Sequence, residues 1–196
     1  LIFGPVPETP LTEPDFTKMR LTVYQKLCLA QNDLPSGFRF RIYEAFRSIT
    51  VQQMLFDEEH QKVMAQSPHK TAAEIFHDTT RLVSPVINLD GSRNVPPHNT
   101  GAAVDLEIID QNGQVIDMGM EAKDCFWVDP DLCMTDCSSV NDIVRKNRKL
   151  LFDVMTAHGF VNYPTEWWHF SYGDRYWAYH KNQAYAIYGP ADELAN

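Results

Sequence analysis

The run Ala102-Ala103-Val104-Asp105-Leu106-Glu107-Ile108-Ile109 constrains this chain more than any other segment, because it is apolar enough for an interior strand yet carries two carboxylates. Asp105 sits between Val104 and Leu106. A carboxylate buried there without a partner is costly, so the position needs a cation, a hydrogen-bond donor or a metal. Whatever the fold, it must deliver such a partner to the middle of a strand.

Composition narrows the rest. With 196 residues, 44% of them hydrophobic and 22% charged, the chain reads as one folded domain outside the disordered classes. A domain of this size buries roughly 70% of its unfolded surface and needs no metal merely to hold a core, so a metal would be catalytic rather than structural. The net charge of -9, with no basic stretch longer than Arg145-Lys146, sets nucleic acid aside. No window approaches the run of about 18 apolar residues that a membrane-spanning helix needs, so no membrane insertion is expected. The chain opens on Leu1 rather than Met, so a signal peptide would already be missing from view. The bacterial periplasm is favoured over the cytoplasm as its compartment. Cys125, Cys133 and Cys137 crowd into one irregular segment, away from Cys28. The spacing of Cys133 and Cys137 hints at a metal knuckle, but no fourth ligand completes it nearby, which leaves a loop disulfide or free thiols.

Residues 1–15, with Pro5, Pro7 and Pro10, read as an extended N-terminal arm, and residues 16–196 as the domain proper. Phe16, Met19, Val23, Leu27 and Ala30 recur at helical spacing, predicting a helix that ends before Leu34-Pro35. Phe38 to Phe46 alternates as a strand with Arg47 at its end. Thr50 is placed to cap a helix reaching about Met64, and a further helix runs from about Thr71 through Leu82 until Pro85. Ala102–Ile109, the turn Asp110-Gln111-Asn112-Gly113 and Gln114–Met118 predict a hairpin. Val140 to His158 reads as an amphipathic helix with Val144, Arg148, Leu151 and Met155 along it, ended by Gly159. Phe160–Tyr163 and Trp167–Tyr172 are strand-like around Pro164-Thr165. Helices and strands do not alternate as crossovers require, which favours a single-domain α+β fold with a mostly antiparallel sheet flanked by helices.

Two pairs of residues suggest chemistry: His98 with Asp105 seven positions later, and Glu166 with His169 three positions later. Singly, each has an ordinary reading, a surface histidine beside a proline turn or a carboxylate bonding to nearby backbone. Together, two imidazoles and one carboxylate make the ligand set of an open catalytic zinc site. Glu166 stands before two tryptophans, where lost solvation moves a carboxylic acid toward the pKa wanted of a general base. Residues three apart on a flat strand point to opposite faces, so Glu166-Trp167-Trp168-His169 must bend for both ends to meet one centre. No His-Glu-x-x-His helix motif occurs, so the ligands must come from distant segments. Arg47 by itself could be no more than a salt bridge closing a strand end.

The segment Pro96-Pro97-His98-Asn99-Thr100-Gly101-Ala102-Ala103-Val104-Asp105 resembles the Ser-x-His-x-x-Gly-x-Ala-x-Asp signature of the D-alanyl-D-alanine dipeptidases and related zinc D,D-carboxypeptidases. Glu166-Trp167-Trp168-His169 is similar to their second motif, and Tyr43-Glu44-Ala45-Phe46-Arg47-Ser48 to their arginine segment, in matching order over roughly residues 17 to 180. The vancomycin-resistance type of the family is the nearest in kind, and its fold, shared with the Hedgehog amino-terminal domains, is implied here. The resemblance implies one zinc ion per chain bound by His98, Asp105 and His169, with Glu166 as catalytic base and Arg47 stabilising the oxyanion. It further implies a small dipeptide as substrate, its ammonium received by Asp124, with Glu121 as the rival. Pro96 replaces the signature serine, and the segment from Met118 to Asp124 is longer than the family's. The competing readings are a zinc D,D- or L,D-carboxypeptidase acting on peptidoglycan stem peptides and a non-catalytic zinc-binding signalling module. Retention of Glu166 and Arg47 argues against the latter. Oligomeric state is not legible at this level.

Overall fold

Each strongly alternating or continuously apolar segment becomes a strand of one sheet, and each 3.6-periodic segment a helix laid against it. In the computed structural model, which describes residues 1–4 and 10–191, the elements in chain order are β1 (Ile2–Phe3), α1 (Leu21–Asn32), β2 (Arg39–Glu44), α2 (Ile49–Gln66), α3 (Ala72–Thr79), β3 (Ala103–Ile109), α4 (Pro130–Cys133), α5 (Asp142–Ala157), β4 (Val161–Tyr163), β5 (Glu166–Ser171) and α6 (Arg175–His180). The sheet order is β1-β2-β3-β5-β4. Four strands form an antiparallel set, and the two-residue β1 adds to its edge in parallel. The expected α+β class with a mostly antiparallel sheet is therefore what the chain adopts. Of the expected arm, Pro5 to Thr9 lie outside the described residues, while Pro10–Thr12 forms a 3-10 turn with Thr12 buried.

β3 is buried along its whole length because both faces of the sheet are covered. Val104, Leu106 and Ile108 join Phe40, Ile42, Val23, Leu27, Leu151 and Met155 in the main core, which packs α1 and α5 against one face. Strand periodicity then turns Asp105 and Glu107 to the opposite face. Glu107 is met by Arg41, its cross-strand neighbour, whose Nε donates to it at 2.6 Å. Asp105 has no such arginine and is opposed by Glu44 on one side and His169 on the other.

Several boundaries differ from the sequence reading, each for a local reason. α1 begins at Leu21 rather than Phe16, because the extended Arg20 commits its backbone N–H to the Gly101 carbonyl. Phe16 still packs into the core from the preceding turn. Ser48, not Thr50, caps α2: its backbone is extended and its hydroxyl accepts from Val51 N. α3 opens with a reciprocal capping box between Thr71 and Glu74 but stops at Thr79, where the Thr79 and Thr80 hydroxyls turn back onto the Ile75 and His77 carbonyls and the chain tightens into turns. The expected hairpin keeps its turn, with the Asp110 carboxylate accepting from Asn112 N and Gln114 N. Its return arm is a single bridge from Ile109 to Val115 rather than a strand. All four cysteines are free thiols, with Cys125, Cys133 and Cys137 buried. Among the described residues no helix is long and apolar enough to cross a membrane.

Arg148 on α5 replaces what an apolar residue would do at a buried helix position. Its guanidinium lies over the Trp167 ring and donates to the Met118, Leu132 and Met134 carbonyls, organising an irregular segment that has little regular structure of its own. Burial pushes its pKa down, though an arginine stays charged. Arg148→Ala strands three carbonyls in a dry interior, so it is expected to lower unfolding stability by about 3 kcal/mol or more in urea titration.

Candidate metal centre and active site

The antiparallel register of β3 and β5 places Asp105 directly opposite His169. His98 reaches the same point from the 3-10 turn Pro97–Thr100, which begins on prolines and is closed by Gly101 in the left-handed region at φ 67°. The Arg20 side chain braces this turn, donating from Nε to the Thr100 carbonyl at 2.7 Å. His98 Nε2 lies 3.1 Å from Asp105 Oδ2 and 3.2 Å from His169 Nδ1, while His169 Nδ1 lies 3.0 Å from Asp105 Oδ1. All three side chains are buried, and their ligand atoms fall within 4.8 Å of one another.

The outer hydrogen bonds decide which ring nitrogens face inward. His98 Nδ1 donates to the Ala45 carbonyl at 2.7 Å, which leaves Nε2 of that ring facing Asp105, and His169 Nε2 lies 3.4 Å from Ser171 Oγ, which leaves its Nδ1 on the Asp105 side. Asp105 Oδ1 makes no hydrogen bond despite that proximity. Two imidazole nitrogens and a carboxylate thus converge in a dry pocket, a donor set that fits a cation with one ligand position left open. In the bare cluster, burial pushes the His98 pKa down. Burial would do the same to His169, but the adjoining Asp105 carboxylate outweighs it and raises that imidazole to about 9. Burial opposes ionisation of Asp105, yet the two imidazoles hold its carboxyl well below the usual range.

Glu166 and Arg47 border the same cavity. The buried Glu166 places Oε2 3.7 Å from His169 Nδ1, close to the cluster. The bend expected between Glu166 and His169 occurs inside β5, where the pairing with β4 slips. Arg47 follows β2 and is fixed from two sides: Nη1 donates to Gln52 Oε1 at 3.2 Å, and Nε lies 3.9 Å from Glu44 Oε1. Gln52 in turn donates to the Ser84 carbonyl, and Glu44 Oε2 accepts from the Thr12 hydroxyl. The ordinary reading of Arg47, an ion pair at a strand end, is thus also present.

The cavity measures about 410 Å³, and its walls include Arg47, Trp168, Tyr163, Asp174 and Phe126 besides the metal-ligand cluster. Lys62 on α2 pins its rim by donating to the Phe126 carbonyl and lying against the Phe126 and Trp127 rings. Asp124 and Glu121 are not among the lining residues. Glu121 instead pairs with Lys123 at 2.7 Å on the exposed surface, while the half-buried Asp124 closes a turn through its backbone. Sequence reasoning missed Gln52, Tyr163 and Asp174. Only Asp174 had a legible signal, as an acid ahead of a helical segment, and its carboxylate indeed caps α6 by accepting from Trp177 N.

The family model described as D-ala-D-ala dipeptidase, peptidase family M15, matches residues 11–187. The chain belongs to the M15 peptidase family. Among M15 relatives, a D-alanyl-D-alanine dipeptidase of Synechocystis sp. is 29% identical over 165 residues, covering 77% of this chain and 66% of the relative. One of Escherichia coli strain K12 is 36% identical over 135 residues, covering 69% of this chain and 55% of the relative. The alignments thus span between about half and two thirds of those proteins' lengths. Among solved structures, a variant of the vancomycin-resistance D,D-pentapeptidase VanY in complex with Zn(II) is similar at 15% identity and TM-score 0.46, covering 91% of this chain and 84% of that one. VanYB in complex with D-alanine-D-alanine aligns with the same identity and score over 84% and 78%.

Two imidazoles and one carboxylate suit zinc among the common divalent ions. Elemental analysis is expected to find one zinc per chain, and replacing His98 and Asp105 together by alanine to abolish it. Full occupancy in that double variant would overturn the ligand assignment. Chelation is expected to lower the Tm of the wild-type protein, since a ligand held only by the folded state stabilises it.

Proposed function

We propose that this chain is a zinc peptidase that hydrolyses the dipeptide D-Ala-D-Ala, with Glu166 as general base. The single observation that carries the reading is the position of the Glu166 carboxylate, buried beside the His98, Asp105 and His169 cluster without belonging to it, in a cavity shared with Arg47. The names of the relatives support the substrate. A bound zinc ion supplies a Lewis acid that polarises the scissile carbonyl and lowers the pKa of water to roughly 7.

The residues of the chain supply the rest. Glu166 takes the proton of the attacking water and returns it to the leaving amine, because one carboxylate within reach of both positions can act first as base and then as acid. Arg47 turns a permanently charged guanidinium, already oriented by Gln52 and Glu44, toward the oxygen on which negative charge grows. Its restraint before substrate arrives keeps the reorganisation cost out of the barrier. Half-buried Tyr163 and buried Trp168 limit water around the reacting groups, so charges interact there more strongly than in bulk.

A second reading has its own support. Neither Asp124 nor Glu121 borders the cavity, where the acids besides the cluster are Glu166 and Asp174, so the ammonium site expected from the resemblance is not the one on its walls and a D,D-carboxypeptidase whose substrate continues beyond the dipeptide is the competing reading. N-acetyl-D-Ala-D-Ala separates the two. A dipeptidase is expected to cleave it at least about 100-fold more slowly than D-Ala-D-Ala, because the blocked amine forfeits a charge-assisted bond and leaves a carboxylate unpaired. Equal kcat/KM for both substrates would establish the carboxypeptidase reading instead.

Glu166→Ala is expected to retain zinc while losing more than nine-tenths of turnover, and Arg47→Ala to lower kcat by about 100-fold or more, the scale for one oxyanion donor. Steady-state kinetics paired with metal analysis checks both. A Glu166→Ala protein with more than a tenth of wild-type kcat would refute the general-base role.

A further inference from the structure

β4 and β5 pair regularly at Val161 with Ser171 and at Asn162 with Phe170, but the next residue of β4, Tyr163, lies opposite Glu166. One step on β4 therefore matches four on β5, and Trp167, Trp168 and His169 have no partner residue on β4. This slip lets Glu166 and His169, three apart, turn toward one centre. It also removes strand-to-strand hydrogen bonds where two functional groups must be held still.

The Asn162 side chain fills the gap. Its buried Nδ2 donates to the Glu166 carbonyl at 3.1 Å and to the His169 carbonyl at 3.0 Å, using both amide protons on the backbones of the two residues that frame the slip. Oδ1 accepts from the Thr135 hydroxyl at 2.6 Å, which settles the orientation of the carboxamide. Thr135 N donates to the Pro164 carbonyl at 3.0 Å, so the segment between α4 and α5 is tied to the β4–β5 turn at a second point. The Asn162 carbonyl accepts from the Tyr176 hydroxyl at 3.2 Å. Neither Asn162 nor Thr135 borders the cavity.

We infer that Asn162 is a positioning residue that sets the separation between the general base Glu166 and the metal ligand His169, and that Thr135 locks it in the working orientation. The inference rests on the roles proposed for Glu166 and His169. A side-chain amide does this better than a ladder bond, since one rigid planar group measures the distance between two carbonyls directly. Any loss of that brace moves the base relative to the metal without touching substrate.

The test uses Asn162→Ala, the milder Thr135→Val, which keeps shape and removes only the hydroxyl donor, and Thr135→Ser, which restores it. Zinc affinity by chelator competition, the visible absorption of the cobalt(II)-substituted protein, Tm, kcat and KM are measured for each. Asn162→Ala is expected to lower kcat and zinc affinity by about 10- to 100-fold, the usual scale for groups that orient metal ligands. KM should change less than twofold, and the cobalt spectrum should shift. Thr135→Val is expected to move the same readouts in the same direction by less, with Thr135→Ser returning to wild type. If Asn162→Ala does not fold, Thr135→Val carries the test alone. A lower Tm with wild-type kcat, zinc affinity and cobalt spectrum in the folded variants would mean a purely structural brace and overturn the inference. Should the wild-type protein leave D-Ala-D-Ala intact, the proposed function fails, while zinc affinity and the cobalt spectrum still decide whether Asn162 positions His169.

Discussion

The structure depends on tolerating a cluster of groups that would otherwise repel or dehydrate one another. His98 Nε2, His169 Nδ1 and the Asp105 carboxylate meet near 3 Å in the middle of a sheet, away from water. Burying a carboxylate in isolation is prohibitive, so it needs the two imidazoles beside it or a cation that completes the set. The surrounding hydrogen bonds follow from that requirement. The Ala45 carbonyl holds the first imidazole and Ser171 faces the second, while Glu44, the other acid at this level of the sheet, is drawn toward Thr12 and Arg47.

Much of this was legible from the residues, and what was not has a physical reason. α5 was readable because apolar side chains recur at helical spacing and an asparagine and a glycine flank it. The two central strands were readable because alternation and an apolar run are strong signals. Helix starts were less so: Ser48 outranks Thr50, and Arg20 displaces Phe16, through backbone bonds that only the tertiary arrangement supplies. The three candidate metal ligands and Glu166 stood out as ionisable residues in apolar or aromatic company. Asn162 did not, because an asparagine in a three-residue strand carries no pattern, and a slip of register between neighbouring strands leaves no trace in composition. Asp124 and Glu121 were read from a resemblance to the family's ammonium-binding segment, and neither lines the cavity, although Cys125 and Phe126 just after Asp124 do.

Three loops supply the site's frame, each fastened by a buried or half-buried polar side chain. Gln52 spans from Arg47 to the Ser84 carbonyl, Lys62 holds the Phe126 carbonyl, and Arg148 gathers carbonyls from either side of α4. Side chains with several donors suit this task, since irregular backbone presents carbonyls that no strand or helix satisfies. The cavity can therefore be walled by segments with little secondary structure and still hold its shape.

With His98, Asp105 and His169 as the proposed metal ligands, their distribution along the chain would tie assembly to metal binding. His98 and Asp105 lie close together, whereas His169 arrives about sixty residues later on the last hairpin. A cation shared between these residues would close that long loop, so part of its binding free energy would appear as cohesion between the C-terminal hairpin and the rest of the sheet. Departure of an ion bound there and loosening of the hairpin would in this way be linked equilibria, and the proposed reaction centre would also report whether the final strands have docked in register.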